Sequence, residues 1–283
     1  MRRMTPGKGL ILLSLVLIAA SMLLPFIRVI SLSVSGKVFV ERNEVMFFPK
    51  GFTWESYKYV LSEQRIWDSL AVTVFVTLFG TVLSLLVSSA MAYALSRPEF
   101  KPRRGVMIFV ILTMVFQAPV IPFFLTVKSL GMLNTVWALI LPLMVNAFNL
   151  AIMRSFFEET PESLIDSGRI DGCGDLRLLM KIVLPISKPV LATMALFYAV
   201  AYWNIFYNAL MFIYDKKLQP LQIIVRSYIS DSVETPGLYR DVNYNNTTLQ
   251  MATIMVAMLP IIAVYPFLQK HFTSGVMLGA IKE

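Results

Sequence analysis

Residues 160–189 read TPESLIDSGRIDGCGDLRLLMKIVLPISKP, a pattern typical of two short helices separated by glycines. Thr160 is a good N-cap residue, Pro161 is favoured at the first helical position, and the glutamate after it places negative charge in the first turn. We therefore predict a first helix from Pro161 to about Ile170.

Glycine residues separate this helix from the second one. Gly172 and Gly174 supply backbone freedom that other residues lack, and we expect them to end the first helix. Asp175 opens the second helix with an acidic first turn, and Pro185 should interrupt its end. We call residues 161–185 the elbow. A connection of this length with helices of its own usually has a function.

The composition of the whole chain predicts a membrane protein. Of its 283 residues, 57% are hydrophobic and 15% are charged, against about 45–50% and about 25% in a typical soluble domain. The mean hydropathy is +0.69. These values exclude a disordered chain, a fibrous protein and an ordinary cytosolic enzyme. The single cysteine, Cys173, and the single histidine, His271, argue against a disulfide framework and a bound metal.

Six stretches of the chain contain no Asp, Glu, Lys or Arg, and each is long enough for one helix across the hydrocarbon core. They are residues 9–27, 69–96, 105–127, 129–153, 189–214 and 242–269. The first stretch follows basic residues, as in a signal peptide, but its length and the lack of an A-x-A cleavage site favour a retained helix. We therefore predict an all-α, polytopic membrane protein with six transmembrane helices.

Basic residues near the ends of the predicted spans indicate the orientation. The connection 97–104 carries four of them, whereas 128–135 carries one. Because an even number of spans puts both termini on one side, we expect the N-terminus and the C-terminus in the cytoplasm. The result is a single transmembrane domain, 1–283, with four long segments outside the spans. They are a cytoplasmic loop at about 155–188, external loops at about 34–66 and 215–247, and a cytoplasmic tail at 270–283.

The elbow resembles the EAA signature of binding-protein-dependent ABC importer permeases. In its usual form, Glu-Ala-Ala is followed after three residues by Gly, and after nine more by Ile-x-Leu-Pro. This chain has Gly172 and, after nine residues, Ile182-Val183-Leu184-Pro185, while Asp166-Ser167-Gly168 stands in place of Glu-Ala-Ala. Shorter stretches are similar to the carbohydrate permeases of this family, of the MalG-like and LplC/YtcP type. They are residues 49–53, 93–97, 130–135, 197–200, 203–204, 269–272 and 275–280.

This resemblance implies a permease subunit with the MetI-like fold in the inner or plasma membrane of a prokaryote. Such a subunit is no enzyme itself, but belongs to an ATP-driven importer and moves a carbohydrate, expected to be an oligosaccharide, into the cytoplasm. The implied partners are a second homologous permease, an ATPase dimer, an extracytoplasmic binding protein, the sugar and the lipid bilayer, without nucleic acid. The alternative is a permease for a non-sugar solute such as a peptide or an anion.

No cofactor is expected on this chain, because the resemblance places ATP and magnesium on the partner ATPase. The chain lacks a G-x-x-x-x-G-K-S/T motif, so it should not bind ATP through a P-loop. By the same resemblance, the elbow docks into a groove of the ATPase, where leucine and isoleucine side chains would make apolar contacts. The predicted coupling residues are Leu164, Ile165, Asp166, Ser167, Gly168, Arg169, Ile170, Asp171, Gly172, Ile182, Leu184 and Pro185. From the residues alone, a solvated connection with two incidental helices is the alternative.

By the same resemblance, the apolar tail 270–283 should also be ordered against the ATPase.

Polar and aromatic side chains inside the predicted spans are candidates for the substrate pathway. Amides can bond the hydroxyl groups of a sugar, and aromatic rings can cover its apolar faces. Asn204 and Asn208 are four residues apart and should share one helix face. The candidates are Gln117, Asn146, Asn149, Tyr202, Trp203, Asn204, Tyr207 and Asn208. Their alternative roles are hydrogen bonds between helices for the amides and placement at the membrane interface for the rings.

Two other classes of membrane protein fit the sequence less well. A polytopic membrane enzyme would need a cluster of His, Asp or Glu at membrane depth, and the six uncharged stretches contain none. A channel would leave the elaborate elbow unexplained.

Overall fold

The computed structural model describes residues 6–116, 118–230 and 243–280, with the backbone alone from 264 onwards. These residues form helices joined by turns, and no β-strand occurs among them. The helices are α1 Pro6–Ser33, α2 Lys37–Glu41, α3 Glu55–Ser62, α4 Gln64–Ser96, α5 Arg103–Val115, α6 Val120–Ser129, α7 Trp137–Ile140, α8 Ala147–Glu158, α9 Glu162–Ile170, α10 Asp175–Leu178, α11 Leu184–Ile186, α12 Lys188–Trp203, α13 Tyr207–Phe212, α14 Leu221–Ser230 and α15 Asn246–Ala280. Two 3₁₀ turns, Leu141–Leu143 and Lys216–Leu218, and a π-helical turn, Leu179–Val183, join some of them. The all-α prediction is confirmed.

Three described helices are long and apolar enough to cross a membrane. They are Leu10–Ser33 within α1, Gln64–Ser96, and Asn246–Ala263 within α15. Two bent pairs also pass if each is counted as one span. They are Trp137–Leu143 with Ala147–Glu158, bent by 50°, and Asp175–Ile186 with Lys188–Trp203, bent by 89°. The described residues thus hold three to five spans by length and composition, and the count of six remains a prediction.

Proline divides the predicted span 105–127 into two helices. Pro119 has no N–H to donate and keeps the residue before it out of the helical region. Its own backbone is extended, with ψ of 149°, so α6 begins only at Val120. The two halves, α5 and α6, have 13 and 10 residues, and neither reaches the roughly 20 residues that a single crossing requires.

The chain forms two compact units. One consists of the residues up to Trp67 together with Ile224–Ile261, and the other of Asp68–Ile223 together with the residues from Ile262. The single domain predicted for 1–283 stays a prediction.

In the first unit, the predicted external loop 34–66 is folded. It contains α2 and α3, and the hydroxyl groups of Ser33 and Tyr57 are 2.8 Å apart, which joins α3 to the end of α1. Gly36 N–H donates to the carbonyl of Lys50 at 3.0 Å. The described part of the other predicted external loop, 215–247, contains the helix α14.

The second unit contains two large hydrophobic clusters. One packs the end of α4 against α8, the elbow and the start of α12. Its buried members include Leu95, Met153, Phe157, Leu178 and Met194, each at most 2% exposed. The other cluster packs α12 and α13 against α4 and α7. The first cluster therefore fixes the elbow to the longer helices α4, α8 and α12.

Candidate functional site

The first helix of the elbow begins one residue later than predicted. α9 starts at Glu162, and Pro161 occupies the N-cap position with extended backbone, φ −55° and ψ 129°. Thr160 is therefore one residue too far from the helix to cap it, which corrects the prediction. Its side chain is buried, and Oγ1 has no hydrogen-bond partner among the described residues.

The glycine turn ends α9 in a Schellman motif. Gly172 has φ of +77°, a left-handed conformation that favours glycine. Its N–H donates to the carbonyl of Arg169 at 2.9 Å, and Cys173 N–H donates to the carbonyl of Gly168 at 2.9 Å. These two bonds satisfy carbonyls that the helix end leaves open. The predicted break at Gly172 is present in the structure.

Gly168, which stands in place of the second alanine of Glu-Ala-Ala, lies where the two halves of the elbow approach each other closely. A Cβ atom at this position would lie 2.6 Å from Leu178 Cδ2 and 2.9 Å from Ile182 Cδ1. The absence of a side chain thus lets the two halves of the elbow pack closely, because Leu178 is itself 1% exposed. This close packing offsets the helix propensity that glycine loses relative to alanine, about 1 kcal/mol.

The second half of the elbow does not end at Pro185 as predicted. α10 continues through the π-helical turn Leu179–Val183 into α11, where Pro185 lies in the first turn. A π-turn accommodates the missing N–H of a proline and the clash of its ring with the preceding turn. The break comes at Ser187, where the axis bends by 89° into α12.

The predicted coupling residues divide into exposed and buried groups. Ile165 is 2% exposed and belongs to the hydrophobic core, so its predicted role as an apolar contact for a partner is wrong. Gly168 is also buried, and Ile182 and Leu184 are partly buried. The exposed group comprises Leu164, Asp166, Ser167, Arg169, Ile170, Asp171, Gly172 and Pro185. Two further large apolar side chains of the elbow, Leu176 and Met180, are exposed but were not predicted.

Exposed apolar side chains are the main surface feature of the elbow. Ile170 is 85% exposed, Leu176 69%, Met180 61% and Leu164 41%. An α-helical surface with several such side chains can bind in an apolar groove of another protein.

Two polar contacts connect the elbow to the region where α4 ends. Arg169 Nη1 donates to Glu99 Oε1 at 2.6 Å. This hydrogen bond lowers the pKa of the Glu99 carboxyl. Tyr93 OH, near the end of α4, lies 3.5 Å from Asp175 Oδ1 at the start of α10. Each half of the elbow therefore has a polar contact with this region in addition to the hydrophobic cluster.

Two arginines cap the C-terminal ends of α4 and α8, the helices that support the elbow. Arg97, next to α4, caps α8, and Arg154 of α8 caps α4. Arg97, which follows α4, donates through Nη2 to the carbonyl of Phe157 near the end of α8. Arg154 of α8 donates through Nε to the carbonyl of Leu95 near the end of α4 at 3.2 Å. Positive charge is favourable at both helix C-termini. Arg97 is 8% exposed, and its guanidinium lies 5.1 Å from the centre of the Tyr93 ring.

Sequence reasoning did not single out Tyr93, Arg97 or Glu99 as site residues. Arg97 contributed its charge to the orientation of the spans, and with Tyr93 it belonged to the stretch 93–97 that is similar to carbohydrate permeases. Its burial and its partners depend on a residue 60 positions away in the chain, so no local pattern could have identified them.

The predicted pathway residues do not form a single group. Tyr202 is fully buried, and its hydroxyl donates to the carbonyl of Ile140 at 3.0 Å. It is therefore a packing residue, which corrects its assignment to the pathway. Trp203 is 8% exposed. Asn149 is buried, whereas Asn146 is exposed and caps α8 by accepting from Asn149 N–H at 3.1 Å. Gln117 lies outside the described residues.

Asn204 and Asn208 do not share a helix face, contrary to the prediction. α12 ends at Trp203, and Asn204 is its C-cap residue. The Asn204 side chain donates through Nδ2 to the carbonyl of Val200 at 2.9 Å, a local bond of the kind that favours helix ends. Asn208 lies in the separate helix α13 and is partly exposed, next to Tyr207, which is 75% exposed.

Comparison with known proteins places the elbow in a family. The model of the family "Binding-protein-dependent transport system inner membrane component" matches residues 80–278, which include α9 to α12. In Bacillus subtilis, the polygalacturonan/rhamnogalacturonan transport system permease protein YtcP is 43% identical to this chain over 272 residues, covering 95% of each. The protein LplC of the same organism is 42% identical over 271 residues, covering 94% of this chain and 91% of LplC.

A solved structure shares the fold. One chain of a bacterial ABC transporter involved in the import of the acidic polysaccharide alginate is 33% identical to this chain. The match covers 96% of this chain and all of the other one, with a TM-score of 0.89. The resemblance inferred from the elbow, the permease fold and the membrane location are thus confirmed: the chain belongs to the binding-protein-dependent transport system inner membrane components, the permease subunits of ABC importers, and is not itself an enzyme.

Proposed function

We propose that this chain moves a carbohydrate, in the form of an oligosaccharide, across the membrane for an ATP-driven importer. The observation that carries the proposal is the agreement of relatives that match nearly the whole chain. YtcP is described as a permease for polygalacturonan and rhamnogalacturonan, and the structure with a TM-score of 0.89 comes from an importer of alginate. The alternative is a permease for a non-sugar solute such as a peptide or an anion.

The proposed topology has six spans, with both termini in the cytoplasm. Three continuous helices and the bent pair of α7 and α8 supply four of them, α12 with α13 would supply the fifth, and α5 with α6 the sixth. The four basic residues of 97–104 support a cytoplasmic position for this connection. The elbow then lies on the cytoplasmic side as well, because Arg169 contacts Glu99 in the same connection.

The proposed coupling residues are the exposed side chains of the elbow. Leu164 and Ile170 of α9, with Leu176 and Met180 of the second half, would enter an apolar groove of the partner ATPase. ATP and magnesium would be bound by that partner. A displacement of the elbow would be transmitted to α4 and α8. The hydrophobic cluster joins the elbow to both helices, and the two arginines join these helices to each other.

The proposed assembly contains four kinds of protein chain or ligand besides this permease. They are a second homologous permease, an ATPase dimer, an extracytoplasmic binding protein and the transported sugar. The segment 215–247 would contact the binding protein, and the tail 270–283 the ATPase. Alternating access would follow from the different affinities of the partner ATPase for the two conformations of the permease pair.

A transport assay tests the proposal. The chain is reconstituted in liposomes with its genomically adjacent permease and binding protein and with the ATPase, and uptake of labelled oligogalacturonate, a neutral maltooligosaccharide and a peptide is measured. We expect ATP-dependent uptake of at least one of the two sugars. Uptake of the peptide alone would refute the carbohydrate proposal. Ile170→Asp should abolish uptake without loss of the chain from the membrane, whereas Lys181→Asp, at another exposed position of the elbow, is the charge control.

A further inference from the structure

Two tyrosine hydroxyls of α12 hold the break between α7 and α8. Tyr202 OH donates to the carbonyl of Ile140, the last residue of α7, at 3.0 Å. Asn146 N–H, one residue before α8, donates to Tyr198 OH at 3.2 Å. One hydroxyl therefore binds the first arm, Trp137–Leu143, and the other binds the residue just before α8, on the two sides of the point where the axis bends by 50°.

The same hydroxyls are bound to α4. Ser84 Oγ lies 2.9 Å from Tyr202 OH, and Ser88 Oγ lies 2.7 Å from Tyr198 OH. A phenol has one proton and can accept further hydrogen bonds. Because Tyr202 gives its proton to a carbonyl, Ser84 is the donor in their pair. Both pairs are spaced by four residues, so each lies one turn from the other along its helix.

All four side chains are inside the second unit. The serines are 0% exposed, and Tyr198 and Tyr202 are 1% and 0% exposed. Gly80, one turn before Ser84, leaves room for the Tyr202 ring, because a Cβ atom at this position would lie only 2.8 Å from the ring. Gly80, Ser84 and Ser88 thus form one small-residue face of α4 against which both rings pack.

The residue at the edge of this break is exposed. Asn146 is held from the inside through its backbone N–H, while its side chain lies at the surface of the chain and caps α8. A shift of the break would therefore move the Asn146 amide directly.

We propose that Tyr198 and Tyr202 are positioning residues for transport, whose hydroxyls fix the bend between α7 and α8 and so the place of Asn146 in the substrate pathway. This rests on the proposed function and on the expectation from the sequence that the Asn146 amide bonds the carbohydrate. The rings also pack in the cluster that contains Ile140, so the separate contribution of the hydroxyls is their hydrogen bonds on the two sides of the break.

The test removes the hydroxyl groups while keeping the rings. Tyr198→Phe/Tyr202→Phe is assembled with the partner permease, ATPase and binding protein. In a Cys173→Ala background, spin labels at Trp137→Cys and Ser155→Cys, both exposed positions on the two sides of the break, report the bend as a distance distribution. Uptake kinetics for the transported oligosaccharide are measured on unlabelled protein.

Two controls separate the hydroxyl bonds to the break from packing. Ser84→Ala/Ser88→Ala removes the partners on α4 but leaves the bonds to Ile140 and Asn146. Tyr214→Phe removes a hydroxyl from an exposed tyrosine outside this group. Both controls should keep the wild-type distance distribution and KM.

For the tyrosine pair we expect a shifted or broadened distance distribution and a KM raised about tenfold, which corresponds to about 1.4 kcal/mol of lost substrate interaction. Wild-type distances, or an equal change in the serine pair, would refute control of the bend by the hydroxyls. Changed distances with an unchanged KM would refute the positioning of Asn146. If the double variant does not assemble, Tyr198→Phe alone, which removes the bonds to Asn146 and Ser88 and keeps those of Tyr202, must show the rise in KM.

The outcome is separable from the proposed function. If the wild-type assembly transports no carbohydrate, the proposed function fails, and with it the role of Asn146. The distances of the tyrosine and serine variants would still decide whether the hydroxyls set the bend.

Discussion

Arg169 and Glu99, 70 residues apart in the chain, form an ion pair in which Nη1 and Oε1 are 2.6 Å apart. The pair joins the helix α9 of the elbow to the connection after α4. Its side chains are 37% and 55% exposed, so solvent screens the attraction. Such a pair contributes little to folding, about 0.2–1 kcal/mol. Its main effect is to hold the elbow in a defined position next to the end of α4.

We expect Arg169→Glu to weaken coupling more than stability. The variant places two carboxylates together, so α9 should separate from the connection after α4. Substrate-stimulated ATP hydrolysis should fall by up to about fivefold, the factor that about 1 kcal/mol represents. The charge exchange Glu99→Arg/Arg169→Glu should restore most of the rate. Failure of this double variant to recover activity, with Arg177→Glu as a charge control, would show that the pair does not transmit the motion.

The contribution of the ion pair to stability should be lost at acidic pH. The hydrogen bond from Arg169 lowers the pKa of Glu99 below its usual value of 4.5. A carboxyl with a lowered pKa in the folded state stabilises the fold above its unfolded pKa and loses this contribution as the pH falls through the lowered value. Thermal unfolding of the wild type and of Glu99→Gln should therefore differ slightly at neutral pH and converge below pH 4.5. A difference that grows on acidification would contradict this assignment.

The glycine turn gives a prediction with a matched control in the same turn. Gly172 has φ of +77°, which costs an alanine about 1–2 kcal/mol. Gly174 has φ of −73° and ψ of 165°, and a Cβ atom there would meet nothing within 4 Å. We expect Gly172→Ala to lower the unfolding temperature and the coupled ATPase rate, and Gly174→Ala to leave both near wild type. Gly172→Asn should lie between them, since asparagine tolerates the left-handed conformation. Equal effects of the two alanine variants would show that the turn tolerates any residue.

Local chemistry made the elbow predictable from the sequence. The acid at Asp175, the glycine at Gly172 and the spacing to Pro185 act within a few residues of one another. The structure accordingly has a left-handed glycine and a new helix at the predicted positions. The start of α9 was misplaced by one residue because Pro161 keeps extended backbone and takes the N-cap position itself.

The direction in which a side chain points was not predictable in this way. Ile165 and Ile170 are both apolar and lie on one short helix, yet they are 2% and 85% exposed, because only Ile165 faces α4 and α8 through the shared cluster. Tyr202 has an aromatic ring and a hydroxyl group, as many sugar-binding residues do. Its hydroxyl is nevertheless hydrogen-bonded in the interior to Ser84, 118 positions earlier. An uncharged run likewise does not reveal whether its helix is continuous, since capping by Asn146 and the restriction before Pro119 divide two of the six.

The substitution Gly80→Ala gives a last prediction, because helix propensity and packing should change the stability in opposite directions. In an open helix position such as Gly105, where a Cβ atom would meet nothing within 4 Å, glycine to alanine should be neutral or stabilise by up to about 1 kcal/mol. At Gly80 the new Cβ atom would lie 2.8 Å from the ring of Tyr202. This ring is fully buried and held by hydrogen bonds at its hydroxyl, so it has little room to move.

Overpacking of this kind costs about 1–3 kcal/mol, more than the gain in propensity. We therefore expect Gly80→Ala to lower the unfolding temperature of the detergent-solubilised protein, whereas Gly105→Ala does not. A smaller side chain at the partner position should relieve the conflict, so in the Tyr202→Leu background Gly80→Ala should be close to neutral, and the two changes should be non-additive. If Gly80→Ala is as stable as Gly105→Ala in the wild-type background, α4 and α12 are not packed as closely as the structure has them.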